Sequence, residues 1–141
     1  MTEQRPTEQH TPEKHMSESA HQRAIFKWTQ QPHIRQKWPD LKLLFHVKNE
    51  TTEGARQVAV DRSSGVKPGV PDLCLPVARG KYHGMFIELK NEVGRLRKEQ
   101  KWWLNELGIE GYFATVCHGW ESAVRTISWY MEGAEGNPPR V

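Results

Sequence analysis

Residues 69–90 read GVPDLCLPVARGKYHGMFIELK, and the reading of this stretch decides the fold. Leu73 to Val77 and Met85 to Leu89 are apolar runs of strand length, bounded by Gly and Pro. Ala78-Arg79-Gly80-Lys81 lies between them as a turn, so the two strands should pair antiparallel. In the second strand Glu88 and Lys90 stand two apart, and side chains two apart leave the same face of a sheet. Ile87 and Leu89 then point to the opposite face, toward a core. Asp72 opens the first strand, so the hairpin brings its carboxylate toward Glu88. Two acids and a lysine thus converge at one edge of a sheet.

Upstream, Ala20, Ala24, Ile25 and Trp28 recur at three- and four-residue spacing, which predicts a helix from about Ser17 to Trp28 or beyond. Thr11-Pro12, Ser17 and Ser19 all serve as candidate caps. Pro39-Asp40 breaks the chain before a short strand, Leu43 to Val47. Residues 49 to 69 are polar and irregular, with room for a helical turn or two over Ala55 to Arg62.

Downstream, Arg97 to Leu107 predicts a helix stopped by Gly108, with Leu96, Gln100, Trp103 and Leu107 on one face. Tyr112 to Cys117 is a further strand. A helix between it and its predecessor implies a parallel crossover. A last helix, Trp120 to Met131, should bury Ala123, Val124 and Ile127. The fold class is α/β, a central mixed β-sheet flanked by helices in the order α-β-β-β-α-β-α. Residues 1–15 read as a polar, flexible tail, 16–132 as one domain, and 133–141 as a second flexible tail.

The 141 residues suit one domain, with 36% hydrophobic residues and six Trp to fill a core. No apolar run is long enough to span a bilayer, and the polar N-terminus lacks the apolar segment of a secretory signal. A soluble cytoplasmic protein with no membrane partner is therefore expected. The net charge of +3, with seven histidines counted neutral, suits a polyanionic partner without demanding one. Cys74 and Cys117 sit in apolar runs without zinc-type spacing, and read as reduced core thiols. His46, His83 and His118 read as structural.

Paired carboxylates favour hard divalent cations such as Mg²⁺ or Mn²⁺. Such an ion polarises a phosphoryl group and makes water more acidic, and a nearby ammonium offsets charge building in the transition state. Phosphodiester hydrolysis needs these parts. An E-x-K on a strand is equally what an ordinary exposed ion pair looks like, worth about 0–1 kcal/mol. The motif alone does not separate the two.

Further motifs do. They are Glu18-Ser19 with Gln22, Trp38-Pro39-Asp40-Leu41, Asn49, Gly69 to Leu73, Ile87 to Lys90, Gly94-Arg95-Leu96, Glu99-Gln100, Gly111-Tyr112 and Val116-Cys117. In this order, from Glu18 to Met131, the chain resembles the VRR-NUC (virus-type replication-repair nuclease) family. That family lies within the PD-(D/E)xK nuclease superfamily, and the resemblance implies a restriction-endonuclease-like fold.

The same resemblance implies roles. Asp72, Glu88 and Lys90 would be catalytic. Glu18, Asp72, Glu88 and the backbone carbonyl of Leu89 would hold Mg²⁺ or Mn²⁺, and Gln100 would meet a water or a phosphate. A helix-boundary Gln bonded to the backbone is the competing reading of Gln100. Lys67, Arg95, Arg97 and Lys98, with Arg56, Arg62 and Lys101 near them, are candidate DNA contacts that give affinity without sequence readout. Glu50, where related sequences often have Gly, is either an extra acid or an unconcerned loop residue. Trp102-Trp103 are candidates for base stacking, although Trp103 fits the core stripe.

The function so implied is a stand-alone, phage-type endonuclease acting in a bacterial or phage-infected cell. It would need no small-molecule cofactor, and as a homodimer it would cut branched DNA such as Holliday junctions. The alternatives are an inactive DNA-binding or assembly module on the same fold, or a nuclease for flaps or unbranched duplex. A degenerate member should have lost a key residue, yet Glu18, Asp72, Glu88 and Lys90 are all present.

Overall fold

The computed structural model describes residues 15–48 and 54–141. Most of the N-terminal tail, the alternative cap at Thr11-Pro12, and the readings of Asn49 and Glu50 lie outside the described residues. Helix α1 spans Glu18–Thr29, and its start is settled by Ser17, whose hydroxyl accepts the Ala20 amide at 3.1 Å. Its buried face is His21, Ile25 and Thr29, so the expected stripe is corrected by one position. Ala20, Ala24 and Trp28 flank it, half-buried. Thr29 can face inward because its hydroxyl donates to the Phe26 carbonyl at 2.8 Å.

Past α1 the chain forms a short helix α2, Pro32–Lys37, and a 3-10 segment, Pro39–Leu43. Both open on a proline, which lacks the amide that a helix start leaves unpaired anyway. The 3-10 segment takes residues that the sequence offers to a strand, so β1 shrinks to Phe45–His46. Helix α3, Ala55–Ser63, extends the turn or two expected there. Strands β2, Leu73–Leu75, and β3, Met85–Lys90, pair antiparallel, and β3 pairs parallel with β4, Phe113–His118. The four strands form one mixed sheet in the order β1-β2-β3-β4.

Helix α4 spans Lys98–Ile109 and runs through Gly108, which does not stop it. Termination falls to Gly111, at φ +91°, where a Cβ would lie 2.6 Å from the His83 ring. The Tyr112 amide returns to the Leu107 carbonyl at 3.1 Å, a bond of the Schellman type. Trp103 is only half-buried and takes no part in the main core, another correction. Helix α5, Trp120–Met131, has its expected bounds. It buries Ser122, Ala123, Thr126, Ile127, Tyr130 and Met131, while Val124 is half-buried.

The two faces of the sheet are covered differently. Leu89 and Cys117 are register partners and share a face with Ile87; the Cys117 thiol meets the Thr126 hydroxyl of α5 at 3.6 Å, and α5 packs on α1. This is the apolar side, with Ile25, Leu41, Leu73, Leu75, Ile87, Leu89 and Ile127 in one buried cluster. Both cysteines are buried and free. Helix α4 lies on the other side, the side of Glu88. Beyond α5, the indole of Trp129 donates to the Glu135 carbonyl at 2.9 Å and Ala134 is buried, so packing continues past the expected boundary at Gly133.

One glycine ties this frame to the loop before Asp72. Gly69 sits at φ +84°, and a Cβ there would come within 2.7 Å of the Glu99 backbone in the first turn of α4. Neither strain is relieved by moving a side chain. Gly69→Ala should therefore lose roughly 1–3 kcal/mol, measured by urea denaturation at equilibrium. An unchanged midpoint would mean that the loop does not rest on α4 as described.

Candidate active site

The register of the hairpin places the site. Leu73 stands opposite Ile87, so one step further Asp72 stands opposite Glu88, beyond the last paired residues of β2. Residues directly opposite share a face, with Cβ atoms roughly 4.5–5.5 Å apart. The two carboxylates are therefore forced together by the pairing of their neighbours. Asp72 is anchored: its Oδ2 accepts the Leu89 amide at 2.8 Å. The amide and carbonyl of one strand residue leave on the same side, so the Leu89 carbonyl is also directed toward the Asp72 edge.

Glu88 is buried, 2% exposed. Its Oε1 accepts the Gln100 side-chain amide at 2.8 Å, while the Gln100 Oε1 accepts the Arg97 amide at 2.8 Å. Gln100 thus takes its helix-boundary reading, capping α4 with its oxygen, and with its amide it also holds a site carboxylate, a contact not expected from the sequence. Glu88 Oε2 is buried with no hydrogen-bond partner. Burial, and then the nearby Asp72 carboxylate, push the Glu88 pKa up to about 8, against the opposing pull of Lys90.

Lys90, 7% exposed, holds its ammonium 3.9 Å from Glu88 and 3.8 Å from Glu18. The sequence can place Glu18 only on a helix tip; the tertiary fold brings that tip over the end of β3. His21, one turn on, helps to hold it there, since its Nδ1 accepts the Trp120 amide at 3.1 Å. With Nδ1 accepting, Nε2 carries the proton in the neutral ring, 3.2 Å from Glu92 just past β3.

These residues line a cleft of about 550 Å³ that contains Glu18, Asp72, Glu88, Leu89, Lys90 and Gln100. Arg97 is also on its wall, as are Ser19 and Gln22. Lys67 and Lys98 line a separate pocket beside it, and Arg95 is exposed and lines neither. His46 and Lys48 also line the cleft, a placement the sequence reading missed. The signal was available in part: the two residues alternate along the chain that enters beside β2. The His46 ring lies 3.1 Å from the Asp72 carbonyl, and Lys48 pairs with Asp61 at 3.6 Å.

A divalent cation fits this donor set. Two opposed carboxyl groups, one with a buried oxygen that nothing satisfies, offer oxygen ligands to a cation once Glu88 gives up its proton. Among the described residues no three or more His, Cys, Asp or Glu side chains form a metal-holding group.

The comparisons with known proteins bear on the family and the fold. The family model for the VRR-NUC domain matches residues 16–121. The chain is similar to a solved structure named "VRR_NUC domain protein", with 29% identity and a TM-score of 0.72. The match covers 85% of this chain and 92% of that one, and it fits a restriction-endonuclease-like fold. No curated protein matches the chain.

Proposed function

This chain belongs to the VRR-NUC family of nuclease domains, and on that premise we propose that it hydrolyses DNA phosphodiester bonds as a metal-dependent endonuclease. The observation that carries this reading is the opposition of Asp72 and Glu88 across the end of the hairpin, with Lys90 beside them in an open cleft. An inactive module would have no use for a buried Glu88 set opposite a second acid. Desolvating such a pair costs stability unless something compensates it.

Members of the family generally use divalent metals. Here Asp72, Glu88 and the Leu89 carbonyl would hold Mg²⁺ or Mn²⁺, with Glu18 at the outer edge. The ion would supply charge neutralisation at the phosphoryl group and a more acidic water. The chain's own contribution is orientation. The Leu89 amide fixes Asp72 and Gln100 fixes Glu88, so neither must reorganise during the reaction. Lys90 orients the attacking water and offsets the charge that grows on the phosphoryl oxygens. Arg97 and Lys48 on the cleft wall hold the flanking phosphates.

Branched DNA is the substrate that this reading favours. A chain with one such carboxylate site among its described residues cuts two strands most simply as a homodimer, and a four-way junction has the matching two-fold symmetry. Equal-length labelled junction, flap and linear duplex, each incubated with Mg²⁺, Mn²⁺ or EDTA, test the proposal. The expected result is paired nicking of the junction in either metal and none in EDTA. Equal cutting of linear duplex would remove the preference for branches, and binding without cutting in both metals would make the chain a binding module.

A further inference from the structure

Beside the cleft, Lys67, Pro68, Lys98, Glu99, Trp102 and Trp103 enclose a second pocket of about 440 Å³. That falls in the range of roughly 300–1,000 Å³ typical of small-ligand sites. Its floor is fixed, because the Trp103 indole donates to the Pro68 carbonyl at 3.1 Å and Gly69 rests against Glu99. Trp102 meets Trp103 edge to face, 5.5 Å between centroids, and remains 57% exposed. An indole braced by a perpendicular ring and still more than half exposed offers surface on which a base can stack. Its neighbours are cationic: no carboxylate among the described residues pairs with Lys67 or Lys98. With Glu99 counted against them, the wall carries a net charge of +1.

The pocket and the catalytic cleft share no lining residue, but two chain segments link their walls. Lys98 follows Arg97 of the cleft wall, and Glu99 precedes Gln100, which holds Glu88. On the other side, the loop from Lys67 reaches Asp72 within five residues. A strand whose phosphates run along Arg97 would pass close to Lys98, its neighbour at the start of α4.

We propose that this pocket takes an unpaired nucleobase of the bound DNA, stacked on Trp102, with its phosphate between Lys67 and Lys98. A base inside a duplex is already stacked on both faces and has no face to offer. The pocket would thus add affinity only for DNA with single-stranded or unstacked positions, such as flaps, overhangs and junction centres. The proposal rests on the nuclease reading for the path of the DNA, but its test does not depend on catalysis.

The full chain, in EDTA, is titrated against a fluorescein-labelled duplex with a short oligo-dT overhang and against the same duplex made blunt. Stacking on one aromatic ring contributes enough that its loss lowers affinity roughly tenfold or more. Trp102→Ala should weaken binding of the overhang duplex by about that factor and of the blunt duplex by less than about twofold, whereas Trp102→Phe should retain most of the preference. Lys67→Ala with Lys98→Ala should flatten the salt dependence for the overhang duplex.

Equal weakening of both DNAs by Trp102→Ala, or no weakening of either, would overturn the proposal. So would dissociation of an oligomer by Trp102→Ala in sedimentation at the same concentration, which would make Trp102 an interface residue. A wild-type chain that prefers the overhang through Trp102 but never cuts any DNA would leave the pocket standing and remove the nuclease reading.

Discussion

Lys90→Ala is expected to lower the single-turnover rate of DNA cleavage by about 10²–10³-fold, the loss typical of removing one group that stabilises transition-state charge. DNA binding in EDTA should change only a few-fold, since Arg97 and Lys48 remain on the cleft wall. The structure gives Lys90 a second effect that must be separated from the first. Its ammonium lies 3.9 Å from Glu88 and opposes the upward shift of that carboxyl. Without it the Glu88 pKa rises further, and metal binding moves to higher pH. The rate of Lys90→Ala should therefore be measured at pH 7 and pH 9 with saturating Mn²⁺. A rate that stays low at both places Lys90 on the reacting phosphate or its water. Full recovery at pH 9 would reduce Lys90 to a partner of Glu88 and refute its catalytic role. Lys90→Arg should not rescue, because a bulkier, planar guanidinium must fit where Lys90 is only 7% exposed.

The largest effect on stability should come from pH. Folded, Glu88 keeps its proton to about pH 8; its ordinary value is 4.5. Between those values the native state binds more protons than the unfolded chain, so stability falls as pH rises. The contribution is fully present below about pH 4.5 and is lost as pH passes through about 8. In EDTA, thermal melts from pH 6 to pH 9 should show Tm falling by roughly 5–10 °C from this site. Glu88→Gln removes the titration while keeping an oxygen for Gln100, so its melts should be flatter and its Tm at pH 9 above that of wild type. Metal reverses the sign. An ion requires the deprotonated carboxylate, so the Tm gain from added Mg²⁺ should grow with pH in wild type and vanish in Glu88→Gln. The same pH slope in both proteins would show that Glu88 titrates normally and that the carboxylate pair is not electrostatically frustrated.

Both expectations rest on a local arrangement that was largely legible in the sequence. Period-two alternation put Glu88 and Lys90 on one face, and a turn-length spacer put Asp72 opposite Glu88. These are properties of backbone geometry at short range, and the observed register realises them. The bounds of α5 were legible for a similar reason, since its apolar residues are dense enough to define a face on their own. Errors occurred where two local preferences compete. Gly108 reads locally as a stop, but a glycine inside a helix costs only about 1 kcal/mol, and packing of α4 on β4 outweighs it. Leu43 and Leu44 suit a strand, yet Pro39 starts a 3-10 segment that absorbs Leu43.

The chemical types at the site, two acids and a lysine in fixed alternation, were determined by the sequence alone, because a strand has only two faces. What surrounds them was decided by the tertiary structure. Only when α1 docks on α5 does Glu18 come within 3.8 Å of Lys90, across 72 residues of chain. Only when α4 covers the sheet does Gln100 close on Glu88, and only then does burial drive that carboxyl toward neutrality. His46 enters the cleft and Trp102 stays outside the core for the same reason. Local periodicity orients a side chain with respect to its own element, whereas desolvation and charge–charge contact depend on which other elements arrive.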